Sequence, residues 1–375
     1  MPRQRSTKPK PTAASSPFVP PYPPSWFDRF TAWVDRLPGP AWAFYLILGI
    51  AVGLAQSALQ WREGAYPAGT FNPVHLWTAG NFAYLLGLAH YLDKSAGSAL
   101  ASFRPILTSP KGQPRPSAQD QSLYSRHAYQ LTTLPARPTL LATLVGALFP
   151  VLPLSFQLAS GPTPAVLAGT AGTTLSYFSV LALLMIEDAI LGVFVYHTVH
   201  QLVLVSRIYT KYARINIYLL QPLYALSLPG AYTALGLILY SYIWFATGSS
   251  MSLAAGPVEI GIGVLVGATT GATFVLPLLG AHRRLVAEKS RRLTEASSLY
   301  EAAADELLRD LHSRRLGQMD HLNKALSSLE IVQTGLRRIP TWPWQPGAVR
   351  GLLAALFLPL AVWAIQLLLG RFLGP

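Results

Sequence analysis

The apolar residues of this chain run in long, nearly unbroken blocks. They do not follow the two- or three-to-four-residue spacing of a strand or helix with one face in water. The blocks fall at about Ala41–Trp61, Val74–Leu92, Thr139–Leu158, Thr173–Val205, Ala231–Thr247, Val258–Leu279 and Ala348–Leu369. A membrane-crossing helix takes about 20 predominantly apolar residues. The pattern therefore predicts an all-α polytopic transmembrane helix bundle of about seven spans. Pro150, Pro153, Pro277 and Pro359 fall inside these blocks. They are tolerated because neighbouring helices can satisfy the freed carbonyls.

Between the last two blocks the pattern changes. Leu285, Leu293, Leu299 or Tyr300, Leu307 and Leu311, then Met319, Leu322, Leu326, Leu329, Gln333 and Leu336, recur at helical steps on an otherwise polar background. This predicts an antiparallel helical hairpin over 281–339, with Gly317 ending the first helix and Asp320 opening the second. A narrow apolar seam would join the two as a coiled coil. The chain divides into a disordered, basic, proline-rich tail (1–40), six spans (41–280), the hairpin (281–339), and a Trp-Pro-Trp break with the last span (340–375). Trp342 and Trp344 in that break suit the headgroup zone. The fourth block runs on past the membrane and, with the sixth and seventh, would build a cytoplasmic stalk.

Composition sharpens the picture. Hydrophobic residues make up 51% and charged residues 12%. A soluble domain carries about 25% charged residues, so the composition favours a polytopic membrane protein over a soluble globular enzyme. The chain has no cysteine, which removes disulfides, thiolate metal sites and cysteine nucleophiles. The net charge of +13 is unevenly spread. Basic residues crowd the N-terminal tract, the connections after blocks two and four, and the hairpin, while Arg62 and Arg371 stand on the other side. The positive-inside rule then places the N-terminus in the cytoplasm and the C-terminus outside. Outer connections such as Arg62–Gly69 are short and hold no ligand-binding module. The hairpin's charges are balanced in sign, so no nucleic-acid partner is implied. Phosphate-loop, nucleophile-elbow, metalloprotease and dinucleotide motifs are absent, so neither an enzyme nor a cofactor or metal is expected.

Several residues carry possible chemistry. Glu187 and Asp188 lie deep in the fourth block, where a carboxylate is costly unless paired or protonated. They read as a cation or proton site, or as a structural pair with hydroxyls of neighbouring helices. Being adjacent, they point about 100° apart. His197, His200 and Gln201 share one face near the inner end of the same block, with His90, Asp93 and His282 at comparable depth. They read as a chelate or as core and interfacial polar residues. Gly49 and Gly53 in block one, and Gly263, Gly267 and Gly271 in block six, form small-residue stripes that allow close helix packing or line a pore. Gln366 in the last block would glue helices or ring a pore.

Three stretches, Tyr196–Ser227, Leu276–Leu293 and Ile339–Gln366, resemble a family of uncharacterised bacterial polytopic membrane proteins. The resemblance implies a bacterial cytoplasmic (inner) membrane. In topology alone, seven spans with a helical cytoplasmic extension are similar to the insect chemoreceptor channels, which are tetramers with a pore lined by the last helix. That likeness implies a homo-oligomeric ion channel or receptor-like protein in the lipid bilayer. A proton- or cation-coupled secondary transporter using Glu187 and Asp188, and a membrane scaffold or signalling partner acting through the hairpin, are the rival expectations.

Overall fold

The structure, a computed structural model, describes residues 18–107, 117–151, 174–247, 257–313, 317, 319–344 and 347–357. Among the described residues the chain is helical, with no strand beyond two isolated bridges. In chain order the helices are α1 (Trp26–Val34), α2 (Ala41–Glu63), α3 (Pro73–Phe103), α4 (Ser117–Thr132), α5 (Ala136–Leu148) and α6 (Thr174–Arg207). They continue with α7 (Gln221–Ala225), α8 (Leu228–Thr247), α9 (Pro257–Val275), α10 (Leu279–His312), α11 (Met319–Arg338) and α12 (Gly347–Phe357).

Among the described residues four stretches of helix are long and apolar enough to cross a membrane: Ala41–Glu63, Leu175–Tyr212, Gln221–Tyr242 and Val264–His312. The chain is thus built as a membrane protein. The other expected blocks differ for identifiable reasons. Ala136–Leu148 and Gly347–Phe357 are shorter apolar helices, and the remainders of blocks three and seven lie outside the described residues. Helix α3 is long but interrupted by His75, Thr78, Asn81, His90 and Asp93, all buried. It forms the centre of the bundle, packed against α2, α4, α6 and α8. Burial among neighbours is what lets a helix so rich in polar groups stand inside an apolar body.

Helices approach where side chains are small. Gly49 of α2 lies against Ala79, Gly80 and Ala83 of α3, and Gly53 against Leu76 and Ala79. The closest crossing is between α5 and α6. A Cβ added to Gly146 would collide with the Asp188 carbonyl oxygen, and one added to Gly192 would meet the Ala142 carbonyl oxygen at 2.5 Å. Helix α2 stops at Gly64, whose φ of +72° favours glycine in the left-handed cap.

The tail expectation needs correction over 18–40. Ser25 and Asp28 form a capping box that starts α1, and Phe27, Thr31 and Val34 turn its apolar face into the bundle. Tyr22 Oη donates to the Thr133 carbonyl at 2.8 Å, and Ser25 N–H to the Leu134 carbonyl at 3.1 Å. Proline-richness masked a short helix with a strong cap.

Past the body, α6 ends in a π-helical turn, Ile208–Tyr212. Arg284 at the root of α10 donates to the Tyr209 carbonyl at 2.7 Å and holds the stalk to it. Helices α10 and α11 pack side by side through Leu285, Ala296 and Leu336. Lys289 Nζ donates to the carbonyls of Arg337 and Ile339, at 2.7 Å each. Trp342 and Trp344 turn inward. Their rings stack on each other at 4.4 Å, on His282 at 4.0 Å and on Phe274 at 5.3 Å.

Candidate functional site

Helices α3 and α6 place two buried polar clusters at different depths. In the cluster towards the N-terminal end of both, Glu187 is buried and accepts a hydrogen bond from Asn81 Nδ2. The same Asn81 amide lies 3.2 Å from the Tyr240 hydroxyl on α8. Gln56 donates to Ser179 Oγ at 3.2 Å, and Gln60 pairs with His75. Above them the Glu63 carboxylate accepts from Ser176 N–H at 2.8 Å. It satisfies an orphan donor in the first turn of α6 and complements the helix dipole.

The second cluster lies further along the same helices. Asp93 Oδ1 accepts from His197 Nε2 at 2.7 Å, both side chains being buried. Nδ1 has no partner among the described residues. Phe27 of α1 places its ring edge-on to the imidazole at 6.2 Å. Next to this pair His90 is held between the Tyr45 hydroxyl at 2.9 Å and the Asp35 carboxylate at 3.2 Å. Lys94 Nζ donates to the other Asp35 oxygen at 2.5 Å.

Asp28 and Asp35 bound this cluster from α1. Burial pushes the Asp28 carboxyl above the usual carboxylate value, against hydrogen bonds from Ser25 and the Leu134 N–H. Burial acts in the same direction on Asp35, but the bonds from Lys94 and His90 outweigh it and hold the carboxyl below its ordinary value. A cleft of about 560 Å³ opens here, lined by Asp28, Asp35, His90, Asp93, Lys94 and Tyr129 among others.

Between the clusters lies an apolar layer of Leu85, Leu86 and Ala89 from α3 with Ile190, Val193 and Phe194 from α6, all buried in one core. From Asn81 to His90, and from Glu187 to His197, is about 14–15 Å of helix at 1.5 Å per residue.

The sequence candidates therefore divide. Glu187 faces inward to Asn81. Asp188, one position on, is half-buried and has its backbone in the α5 crossing, so the two do not act together. His197 pairs with Asp93. His200 and Gln201 turn instead to the carbonyls of Gln130 and Leu131, at 3.2 Å each, and satisfy orphan acceptors in the last turn of α4. Among the described residues no three His, Asp or Glu side chains could hold a metal ion. Among the described residues nothing packs on Gly267 or Gly271: a Cβ on either meets nothing within 4 Å. Gly263 lies on the same helix. Gln366 lies outside the described residues.

Asn81, Asp28, Asp35 and the Gly146–Gly192 crossing were not singled out from sequence. The Ser25-Trp-Phe-Asp28 capping pattern was the available signal for α1. Asn81 had none, being one polar residue in an apolar run.

Comparison with models of protein families, with curated proteins and with solved structures finds no match.

Proposed function

We propose that this chain is a seven-span protein of the bacterial cytoplasmic membrane, N-terminus inside and C-terminus outside, that acts as a proton- or cation-coupled secondary transporter. The supporting observation is the pair of buried carboxylate sites on two neighbouring helices. Glu187 is bonded to Asn81, Asp93 to His197 at 2.7 Å, and an apolar layer separates them. Ionisable groups at membrane depth are expensive and mark ion or proton routes. Each carboxylate has a neighbour that can hand over or stabilise a proton. Asp93 has the imidazole, and Glu187 has the Asn81 amide with the Tyr240 hydroxyl behind it. The apolar layer gives a route between the two sites an apolar segment. Saturable solute flux into liposomes, accelerated by an imposed pH gradient, supports this reading. Unitary conductance steps with no saturation would replace it by the channel.

The channel keeps one observation in its favour. Gly267 and Gly271 are open, and Leu299, Tyr300, Leu308 and Leu311 on the stalk are exposed. A homo-oligomer would cover both surfaces. The mass of the purified protein in detergent, with and without Leu308→Glu, tests that reading.

A further inference from the structure

The buried face of α2 is polar towards the Arg62–Gly69 connection. Leu46, Ile47, Ile50 and Leu54 of this helix are exposed, while Gln56, Ser57 and Gln60 are buried. A membrane helix that turns its amides inward and its leucines outward faces a polar interior. The neighbours supply that interior. Asn72, just before α3, and His75, Thr78 and Asn81 within it are buried, as is Ser176 of α6. Gln60 pairs with His75, Gln56 donates to Ser179 Oγ at 3.2 Å, and Ser179 Oγ donates to the Ser176 carbonyl at 2.8 Å. Ser176 Oγ and Trp77 Nε1 are buried without a hydrogen-bond partner among the described residues. Water satisfies such groups.

This polar ladder ends on Glu187. From His75 to Asn81 is about 9 Å of helix, with Thr78 midway, and Asn81 donates to the Glu187 carboxylate. Beyond Glu187 the ladder stops at the apolar layer of Leu85, Leu86, Ile190 and Val193. The Asp93–His197 pair on the far side of that layer has its own opening, the cleft that Asp93 lines. The two buried carboxylates therefore lead to opposite ends of the bundle. The titratable or charged side chains of the helices around His75 at this level are Arg62 and Glu63 of α2, Tyr177 and Glu187 of α6, and Tyr240 of α8. Glu63 accepts from the Ser176 N–H, and the Tyr240 hydroxyl lies on the Asn81 amide. Among these groups an imidazole is the one suited to take and release a proton at ordinary pH. Its Gln60 partner can present either an N–H or a carbonyl, and so serves both forms of the ring.

We infer that Glu187 exchanges its proton with the membrane face that carries the Arg62–Gly69 connection, and that His75 is the relay on this route. The imidazole takes a proton from that face on one ring nitrogen and releases one from the other. The released proton passes through the hydroxyls and water of the ladder to the Glu187 carboxylate, which becomes a carboxylic acid, and the ring returns to its neutral form. The inference rests on the transporter reading and names the side from which its first site is loaded.

The test uses dicyclohexylcarbodiimide, which modifies protonated carboxyls in apolar surroundings, on the full-length protein in vesicles of one orientation. The Glu187 adduct is read by mass spectrometry of peptides. With the opposite side buffered alkaline, acidifying the side of the Arg62–Gly69 connection raises the adduct, and acidifying only the opposite side does not. His75→Gln keeps an amide towards Gln60, carries no proton and loses the response. Should that variant fail to fold, Ser179→Ala, which removes the hydroxyl bonded to Gln56, must weaken the response. An adduct that follows the opposite side, or neither side, overturns the route. A wild-type response in folded His75→Gln, or in Ser179→Ala, overturns the relay. No solute enters the readout, so the two failures are told apart: proton-driven flux without the response overturns this route, and the response without flux overturns the transport.

Discussion

The bundle and the stalk both pair carboxylates with nitrogen donors, and the pairs sit in different surroundings. In the bundle Asp93 and His197 meet at 2.7 Å with both side chains buried. On the stalk Glu288 and Glu295 meet Arg291 and Arg292 at 2.6–3.5 Å, with both arginines about half exposed. The distances overlap, but the surroundings do not. Water and salt share the work of the stalk quartet, and such surface pairs contribute about 0–1 kcal/mol. A buried charge that loses its partner has nothing to replace it, at a cost of about 3–5 kcal/mol. Carboxylates therefore brace a water-exposed helix in one place, and in the other one is held with an imidazole out of water.

The largest expected effect follows from that contrast. Asp93→Ala or His197→Ala should destabilise the detergent-solubilised protein by about 3–5 kcal/mol, read as a fall in thermal midpoint. A loss as small as that of a stalk mutant would mean that the pair is hydrated.

A second contrast sets two glycine positions against each other. Gly146→Ala forces a methyl group into the Asp188 carbonyl and should cost at least the ~1–3 kcal/mol of an overpacked core. Gly267→Ala meets nothing and should stabilise α9 by about 0.5–1 kcal/mol, since alanine replaces a flexible helix residue. Thermal melts of the two variants should move in opposite directions. A destabilised Gly267→Ala would show that a second copy covers the stripe.

The smallest effect belongs to the stalk. Hydrogen bonds from Arg291, outweighing partial burial, and then from Arg292 hold the Glu288 carboxyl below its ordinary value of 4.5. A carboxyl with a depressed folded-state pKa adds stability above its unfolded value and loses it as pH falls through the folded one. The contribution of Glu288 should thus be constant above pH 4.5 and vanish below it. Glu288→Gln should lower the midpoint by the equivalent of less than about 1 kcal/mol at pH 7, and wild type and variant should converge in acid. A gap that persists below the transition would assign the effect to packing.

How much of this could be read from sequence varies with the kind of signal. Block length and charge asymmetry are summed over many residues, so the helical, membrane-embedded character and the polar stretch of α10 and α11 were legible. Contacts that depend on which face of a helix meets which neighbour were not. Gly263, Gly267 and Gly271 have the regular spacing that suggests packing, yet the latter two stand open. Gly146 and Gly192 belong to no internal stripe and make the tightest crossing described. The same limit applies to the site. Glu187 was visible as a carboxylate in an apolar run. Its partner Asn81 lies 106 positions away, and Asp93 lies 104 from His197. Only the packing of α3 against α6 joins them. His200 and Gln201 share a face with His197, but their partners at the end of α4 could be assigned only once α4 was placed.

On the transporter reading, Glu187 and the Asp93–His197 pair lie on one ion route. It is tested most directly by proton-driven flux in liposomes holding Glu187→Gln or Asp188→Asn protein at equal, verified insertion. Glu187→Gln keeps the hydrogen-bonding shape towards Asn81 and removes the titrating group, while Asp188 lies on a different face. Glu187→Gln should abolish flux and Asp188→Asn should retain it. Wild-type flux in Glu187→Gln would contradict it.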